Sequence, residues 1–214
     1  RFSYPKAIDR AVYICRQLVQ QGIDVCWYVV GYGGDKPLIR KAIAETGMEK
    51  HFVLAGKQMN PYPYIKACDI YVQPSRYEGK AVTVREAQIL GKPVVITRFP
   101  TSSSQLEEGV DGIIIPNNVE GAAEGLAQFI ADKRQQEAIK AQLRLRMIAN
   151  WQKHCPGYEI KEWNENNFDI RLNRYCEEAY ATKKWAFVSD VARLWALVHE
   201  GGVYMDTDVE LVRP

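Results

Sequence analysis

The sequence lacks the features that mark several large classes of protein. None of its apolar runs approaches the 18 or more residues of a membrane-spanning helix. Its lysines and arginines form no cluster that could follow a nucleic-acid backbone, and the net charge is only +2. We therefore expect neither a transmembrane protein nor a nucleic-acid-binding one.

Paired cysteines and clustered histidines are also missing. The five cysteines are odd in number and form no Cys-x-x-Cys pair, and the three histidines have no metal-ligand spacing. Unpaired cysteines in apolar surroundings are typical of a reducing compartment. Hence we expect core thiols and histidines without a functional role. We also expect a cytoplasmic protein that acts, at most, at the inner face of the cell membrane.

What the sequence does have is a regular alternation of short apolar segments with amphipathic ones. Of its 214 residues, 47% are hydrophobic and 25% charged, which is ordinary for a chain that forms a core. The patterns predict strands at 25–30, 52–55, 70–72, 93–97 and 112–115, and helices at 5–21, 37–46, 62–67, 82–90 and 119–133. Such alternation favours an α/β fold with a Rossmann-like, doubly wound parallel sheet.

The character of the sequence changes near residue 140, although no linker rich in Gly, Pro or Ser marks the place. Beyond it we predict helices at 143–154 and 181–199 and strands at 158–163 and 203–205. We therefore expect two domains, at 1–138 and 139–214, the second of them incomplete. Because the chain opens inside its first domain and stops just after its last predicted strand, we expect a piece of a longer polypeptide.

The first candidate site is built on two glutamates. Glu78 lies in the loop after the strand at 70–72, and Glu86 lies in the following helix. Ligands of open parallel sheets bind beyond the carboxyl ends of the strands, and a helix N-terminus favours phosphate. Carboxylates accept hydrogen bonds from sugar hydroxyls. The pattern predicts a pocket for a sugar, a diphosphate and a ribose, against the alternative of two surface carboxylates.

The segment PSRYEGKAVTVREAQILGKPVV resembles the nucleotide-sugar-binding half of family 4 glycosyltransferases, which have the GT-B architecture. The resemblance implies that Glu78, with Gly79 beside it, binds the donor sugar and that Glu86 binds the ribose. The opening RFSYPK is similar to the family's diphosphate clasp, which implies that role for Arg1 and Lys6. No cofactor is implied at this site.

Two positions near this site are less informative. Ala81 stands where many family members have glycine, which would let the backbone approach a phosphate closely. The Gly-Tyr-Gly-Gly run at 31–34 follows a predicted strand. Such a run is as typical of a plain turn as of a phosphate contact.

The second candidate site is the pair Asp206 and Asp208. Ligands that are all oxygen atoms favour a hard cation such as Mg²⁺ or Mn²⁺, which would stabilise a departing nucleoside diphosphate as a Lewis acid. On the helix at 181–199, Asp190 and Arg193 are neighbours at i and i+3. Taken alone, that pair is explained equally well as a local ion pair.

The ordered run SDVARLWALVHEGGVYMDTDVE resembles family 32 glycosyltransferases and the glucosylating toxins, which have the GT-A architecture. The resemblance implies that Asp190 and Arg193 hold the donor sugar and that Asp206 and Asp208 hold the metal. The first strand of that family should precede the helix at 143–154, and here polar, helix-prone sequence occupies its place.

Together the two resemblances imply a fragment of a bifunctional glycosyltransferase. Such an enzyme transfers a sugar, with retained configuration, from a nucleotide-diphosphate sugar to a glycan or lipid-linked acceptor in polysaccharide biosynthesis. No residue is assigned as catalytic. One alternative is a nucleotide-sugar-binding module or inactive fragment without turnover. Another is a GT-B epimerase or glycan phosphorylase, which the Asp-Thr-Asp motif disfavours.

Overall fold

A computed structural model describes residues 1–206 and 209–212. Asp208, one of the two predicted metal ligands, lies outside the described residues. Contacts within the chain divide it into two compact units, Arg1–Met147 and Ile148–Pro214. No helix in the described ranges is both long and apolar enough to cross a membrane.

The first unit, all of which the structure describes, contains two parallel sheets surrounded by helices, which confirms the predicted α/β fold. One sheet pairs β1 with β2, and the other has the order β3-β4-β5. The strands are β1 (Trp27–Val30), β2 (Phe52–Gly56), β3 (Tyr71–Gln73), β4 (Val94–Thr97) and β5 (Ile113–Ile115). The helices are α1 (Ile8–Gln20), α2 (Lys36–Thr46), α3 (Tyr62–Ala67), α4 (Val82–Ile89), α5 (Val119–Ala131) and α6 (Lys133–His154).

Apolar side chains on both faces of the sheets form the core of this unit. Every residue of β4 is buried, as expected for the central strand of a sheet that is covered on both sides. Leu18 of α1 and Phe129 of α5 pack into the same cluster as Val95. Burying one such side chain stabilises the fold by about 1.5–3 kcal/mol. Trp27 of β1 packs against this cluster too, so the two sheets share a core.

Two helices predicted within the first unit have a boundary that differs from the prediction by more than one residue. The helix predicted from Pro5 begins at Ile8 because Ala7 adopts a left-handed conformation, with φ of 54°. The helix predicted at 119–133 ends at Ala131. There Asp132 starts a new helix by accepting a hydrogen bond at 2.8 Å from the backbone N–H of Gln135.

The second unit contains the end of α6, α7 (Arg174–Ala181) and α8 (Trp185–His199). The helix predicted at 143–154 is confirmed as part of α6, whereas the one predicted at 181–199 begins later, at Trp185. The strands predicted at 158–163 and 203–205 were wrong, since the described residues there pair with no strand. An apolar segment becomes a strand only where a neighbouring strand accepts its hydrogen bonds.

Aromatic rings of the second unit pack around Trp195 of α8. The ring of Trp195 lies edge-on to those of Trp163 at 5.3 Å and Phe168 at 5.9 Å between centroids. Lys161 forms an ion pair with Glu200 at 2.8 Å. Residues of the strand predicted at 158–163 therefore contact the C-terminal half of α8 and do not enter a sheet.

Candidate functional site

The loop between β3 and α4 places Glu78 at the carboxyl end of the sheet, where parallel sheets bind ligands. Its Oε1 accepts hydrogen bonds from the hydroxyl of Ser75 at 2.7 Å and the amide of Gln73 at 2.9 Å. The ammonium group of Lys6 donates to the same oxygen. The predicted sugar-binding carboxylate and the predicted diphosphate-binding lysine are therefore in direct contact.

These donors determine the charge state of Glu78. Burial by itself would raise the pKa of its carboxyl, but the hydrogen bonds from Lys6 and Ser75 hold it below the ordinary value of 4.5. Only 11% of the Glu78 side chain is exposed. The site thus presents an ionised, nearly buried carboxylate beside a cation.

The backbone of this loop is fixed by the connection between β4 and β5. The hydroxyl of Thr101 donates to the carbonyl oxygen of Glu78. The Gln105 amide donates to the carbonyl oxygen of Gly79 at 2.8 Å and accepts from the N–H of Ala81 at 2.9 Å. Ala81 has φ of −83°, an ordinary value, so its backbone does not require the glycine that many family members have there.

Glu86 lies in the second turn of α4 and is half-buried. Its Oε1 accepts a hydrogen bond at 3.2 Å from the hydroxyl of Tyr62 on α3, and its charge raises the pKa of that tyrosine. Tyr62 was not predicted as a site residue, because the contact joins two helices that are distant in sequence.

The opening segment of the chain lies against both the Glu78 loop and the loop after β1. The N–H of Phe2 donates to the carbonyl oxygen of Tyr32 at 2.7 Å, and Phe2 itself is buried. Arg1 is exposed. The Gly-Tyr-Gly-Gly run at 31–34 therefore contacts the opening segment of the chain.

In the second unit the structure brings most of the predicted residues together. Arg193 donates to Asp190 at 2.6 Å, and its guanidinium lies over the ring of Tyr204 at 4.7 Å. The hydroxyl of Tyr204 donates to Oδ1 of Asp206 at 2.7 Å. Burial and the bond to Asp206 raise the pKa of Tyr204. Tyr204 links the ion pair to Asp206. In the sequence it stands inside the run that resembles family 32, where no role was assigned to it.

The described residues contain no group of three or more His, Cys, Asp or Glu side chains that could hold a metal ion. The described residues include one of the predicted metal ligands, Asp206. One of its carboxylate oxygens accepts a hydrogen bond from the hydroxyl of Tyr204. Within the described residues, the Asp-x-Asp motif is therefore represented by the carboxylate of Asp206.

Comparison with protein families matches residues 1–151 to the model of glycosyl transferases group 1. The chain belongs to this family. Residues 142–214 match a second model, the glycosyltransferase sugar-binding region containing the DXD motif. The two matches meet within α6, close to the division between the two units. Assignment to the numbered families 4 and 32 stays a prediction.

Curated relatives of this glycosyl transferase domain are bacterial glycosyltransferases. AmsK, the amylovoran biosynthesis glycosyltransferase of Erwinia amylovora, is 31% identical over 146 residues, which are 64% of this chain and 35% of AmsK. The poly(ribitol-phosphate) alpha-N-acetylglucosaminyltransferase of Staphylococcus aureus is 27% identical over 127 residues, 58% of this chain and 26% of that protein. The chain spans well under half the length of these relatives.

Solved structures share the fold of the first unit. TarM of S. aureus aligns with a TM-score of 0.63 and 24% identity, covering 71% of this chain and 31% of TarM. HepE of Anabaena in complex with UDP-glucose aligns with a TM-score of 0.60 and 23% identity, covering 68% of this chain and 41% of HepE. The fold is thus that of the GT-B glycosyltransferases.

Proposed function

We propose that this chain is part of a glycosyltransferase that transfers a sugar from a nucleotide-diphosphate sugar to a glycan or lipid-linked acceptor in polysaccharide biosynthesis. The observation that carries the proposal is the contact between Lys6 and Glu78 beside the start of α4. AmsK, named for amylovoran biosynthesis, and HepE, solved with UDP-glucose, support it as relatives.

In this proposal the first unit binds the donor. Lys6 and Arg1 neutralise the diphosphate, together with the N-terminal end of α4, whose dipole favours an anion. Glu78 accepts a hydrogen bond from a hydroxyl of the donor sugar beside Gly79, and Glu86 accepts one from the ribose. Because Lys6 already touches Glu78, a single cation bridges the sugar subsite and the phosphate subsite.

The second unit is proposed to hold a further donor site. Asp190 and Arg193 would bind a sugar, while Asp206 and Asp208 would hold Mn²⁺ or Mg²⁺. A divalent cation there would supply Lewis-acid stabilisation to a leaving diphosphate. Carboxylate oxygens suit either ion, and Tyr204 fixes the direction of the Asp206 carboxylate through its hydrogen bond.

Calorimetric titration with UDP-sugars, with and without Mn²⁺, tests both sites. We expect Glu86→Ala to weaken metal-independent binding at least tenfold, or about 1.4 kcal/mol, since a hydrogen bond to a charged group is lost. Glu45→Ala on α2 is the matched control, because Glu45 is an exposed carboxylate paired with Lys41 in its own helix. Equal affinity of Glu86→Ala and wild type would contradict the proposal.

The second site is tested by the double variant Asp206→Asn with Asp208→Asn. Binding that requires Mn²⁺ in the wild type should disappear in this variant, while metal-independent binding stays. Metal-dependent binding that survives the double substitution would exclude this pair as the metal site.

A binding module without turnover is the second candidate, because the contact between Lys6 and Glu78 concerns donor binding and no residue is assigned as catalytic. Release of nucleoside diphosphate from a bound donor in the presence of acceptor separates the two. Binding without release would favour the module. We propose a cytoplasmic location, at most at the inner face of the cell membrane.

A further inference from the structure

Arg76 lies two positions before Glu78 and contacts the segment that carries Lys6. Its guanidinium forms a two-pronged ion pair with Asp9, at 3.0 Å to Oδ1 and 2.7 Å to Oδ2. It also donates to the carbonyl oxygen of Tyr4 at 2.7 Å and lies over the Tyr4 ring at 4.3 Å. The N–H of Arg76 donates to the carbonyl oxygen of Pro5 at 2.8 Å.

These contacts fall on both sides of Lys6 in the sequence. Tyr4 and Pro5 precede it and Asp9 follows it, so Lys6 is held to the loop of its partner glutamate from two directions. The segment between them contains Ala7 in the left-handed conformation, with φ of 54°. Non-glycine residues keep that conformation only where their surroundings fix it.

The beginning of the Glu78 loop is also fixed by contacts that do not involve the side chain of Arg76. The guanidinium of Arg10 donates to the carbonyl oxygen of Pro74 at 2.7 Å. The side-chain amide of Asn117 donates to the carbonyl oxygen of Arg76 at 3.0 Å. Loss of the Arg76 guanidinium would therefore remove the contacts with Tyr4 and Asp9 on either side of Lys6. The bond from the N–H of Arg76 to the carbonyl oxygen of Pro5 would remain, and the loop would stay in place.

We propose that Arg76, through its ion pair with Asp9, is a positioning residue that holds Lys6 against Glu78. The inference rests on the proposed function, because it gives these two residues a part in binding the nucleotide-sugar donor. An arginine is required, since its planar fork meets both oxygens of Asp9 and still reaches the Tyr4 carbonyl. A lysine offers only a point charge.

The test compares Arg76→Lys and Asp9→Asn with the wild type. The readout is the titration of the Glu78 carboxyl, followed by its side-chain carbon signal in NMR. In both variants Lys6 should move away, and the pKa of Glu78 should rise toward its ordinary value of 4.5. Arg76→Lys keeps the charge. Asp9→Asn removes a negative charge, which alone would lower the pKa of Glu78, so a rise reports displacement of Lys6.

Arg146→Gln is the matched control. It breaks an ion pair with the buried Asp111 in the same unit, and neither residue contacts Lys6 or Glu78. We expect it to reduce stability while leaving the Glu78 titration unchanged. Should Arg76→Lys fail to fold, the Glu78 titration in Asp9→Asn alone decides whether the ion pair positions Lys6.

UDP-sugar titration supplies the second readout, with at least a tenfold loss of affinity expected in both Asp9 and Arg76 variants. A Glu78 titration that is unchanged in these variants, or that moves equally in Arg146→Gln, would overturn the positioning role. The NMR titration needs no ligand. A wild type that binds no UDP-sugar would count against the proposed function, and the titration would still decide whether Arg76 positions Lys6.

Discussion

At the scale of single residues, Gly33 shows how the opening segment is docked. A Cβ at this position would lie 2.2 Å from the carbonyl oxygen of Phe2 and 2.5 Å from its nitrogen. No side chain can occupy that space while the backbone of Phe2 stays in place. The glycine therefore permits the segment that carries Lys6 to lie against the loop after β1.

We predict that Gly33→Ala displaces Phe2 and destabilises the protein by about 1–3 kcal/mol, the usual cost of overpacking a close contact. Gly34→Ala is the control, because nothing lies within 4 Å of a Cβ there. Urea unfolding of the two variants provides the measurement. Equal midpoints for both variants would show that Phe2 does not rest on Gly33 in solution.

At the scale of elements, the break between α5 and α6 depends on hydrogen bonds that cap the two helices. Asp132 accepts from the N–H of Gln135, and the buried Gln136 amide donates to the carbonyl oxygen of Phe129 at 2.7 Å. Together they satisfy backbone groups that a helix end would otherwise leave unpaired. The Asp-x-x-Gln spacing is similar to a capping box, a signal that could have located this boundary in the sequence.

We predict that Asp132→Ala lowers the free energy of unfolding by about 1 kcal/mol, the usual cost of losing an N-cap. Asp132→Asn should stay close to the wild type because asparagine caps helices as well. Thermal unfolding followed by circular dichroism would measure both. A loss of stability in Asp132→Asn as large as in Asp132→Ala would mean that the charge matters and the cap does not.

The sequence was sufficient for the elements of the first unit. Buried strands such as β4, which is apolar except for Thr97, are bounded by turn residues, so local patterns locate them to within a residue or two. The strand predicted at 158–163 failed because apolar character does not reveal a partner. Trp163 packs on Trp195 instead of entering a sheet.

The candidate site divides in the same way. Family resemblance pointed to Glu78 and Lys6, which the structure brings into contact. It gave no sign of Arg76 and Asp9, whose pairing joins α1 to a loop far away in the sequence. Contacts of this kind are properties of the folded chain, and a single sequence carries no pattern for them.

At the scale of the whole molecule, the two family matches correspond closely to the two units. The two units differ in how many large side chains they bury. The first unit buries side chains such as Leu18, Ile39 and Phe129 completely or nearly so. In the described part of the second unit, the buried hydrophobic residues are mostly small or lie near its start: Trp151, Phe168, Cys176, Ala179 and Ala196. A smaller buried apolar area gives a lower stability.

We therefore predict that the second unit unfolds at a lower urea concentration than the first. Tryptophan fluorescence reports mainly on the second unit, since of the five tryptophans only Trp27 lies in the first. Circular dichroism reports the helices of both. The fluorescence midpoint should precede the main transition in circular dichroism. Coincident transitions would instead show that the chain unfolds as one cooperative unit, because different probes of a two-state reaction give the same curve.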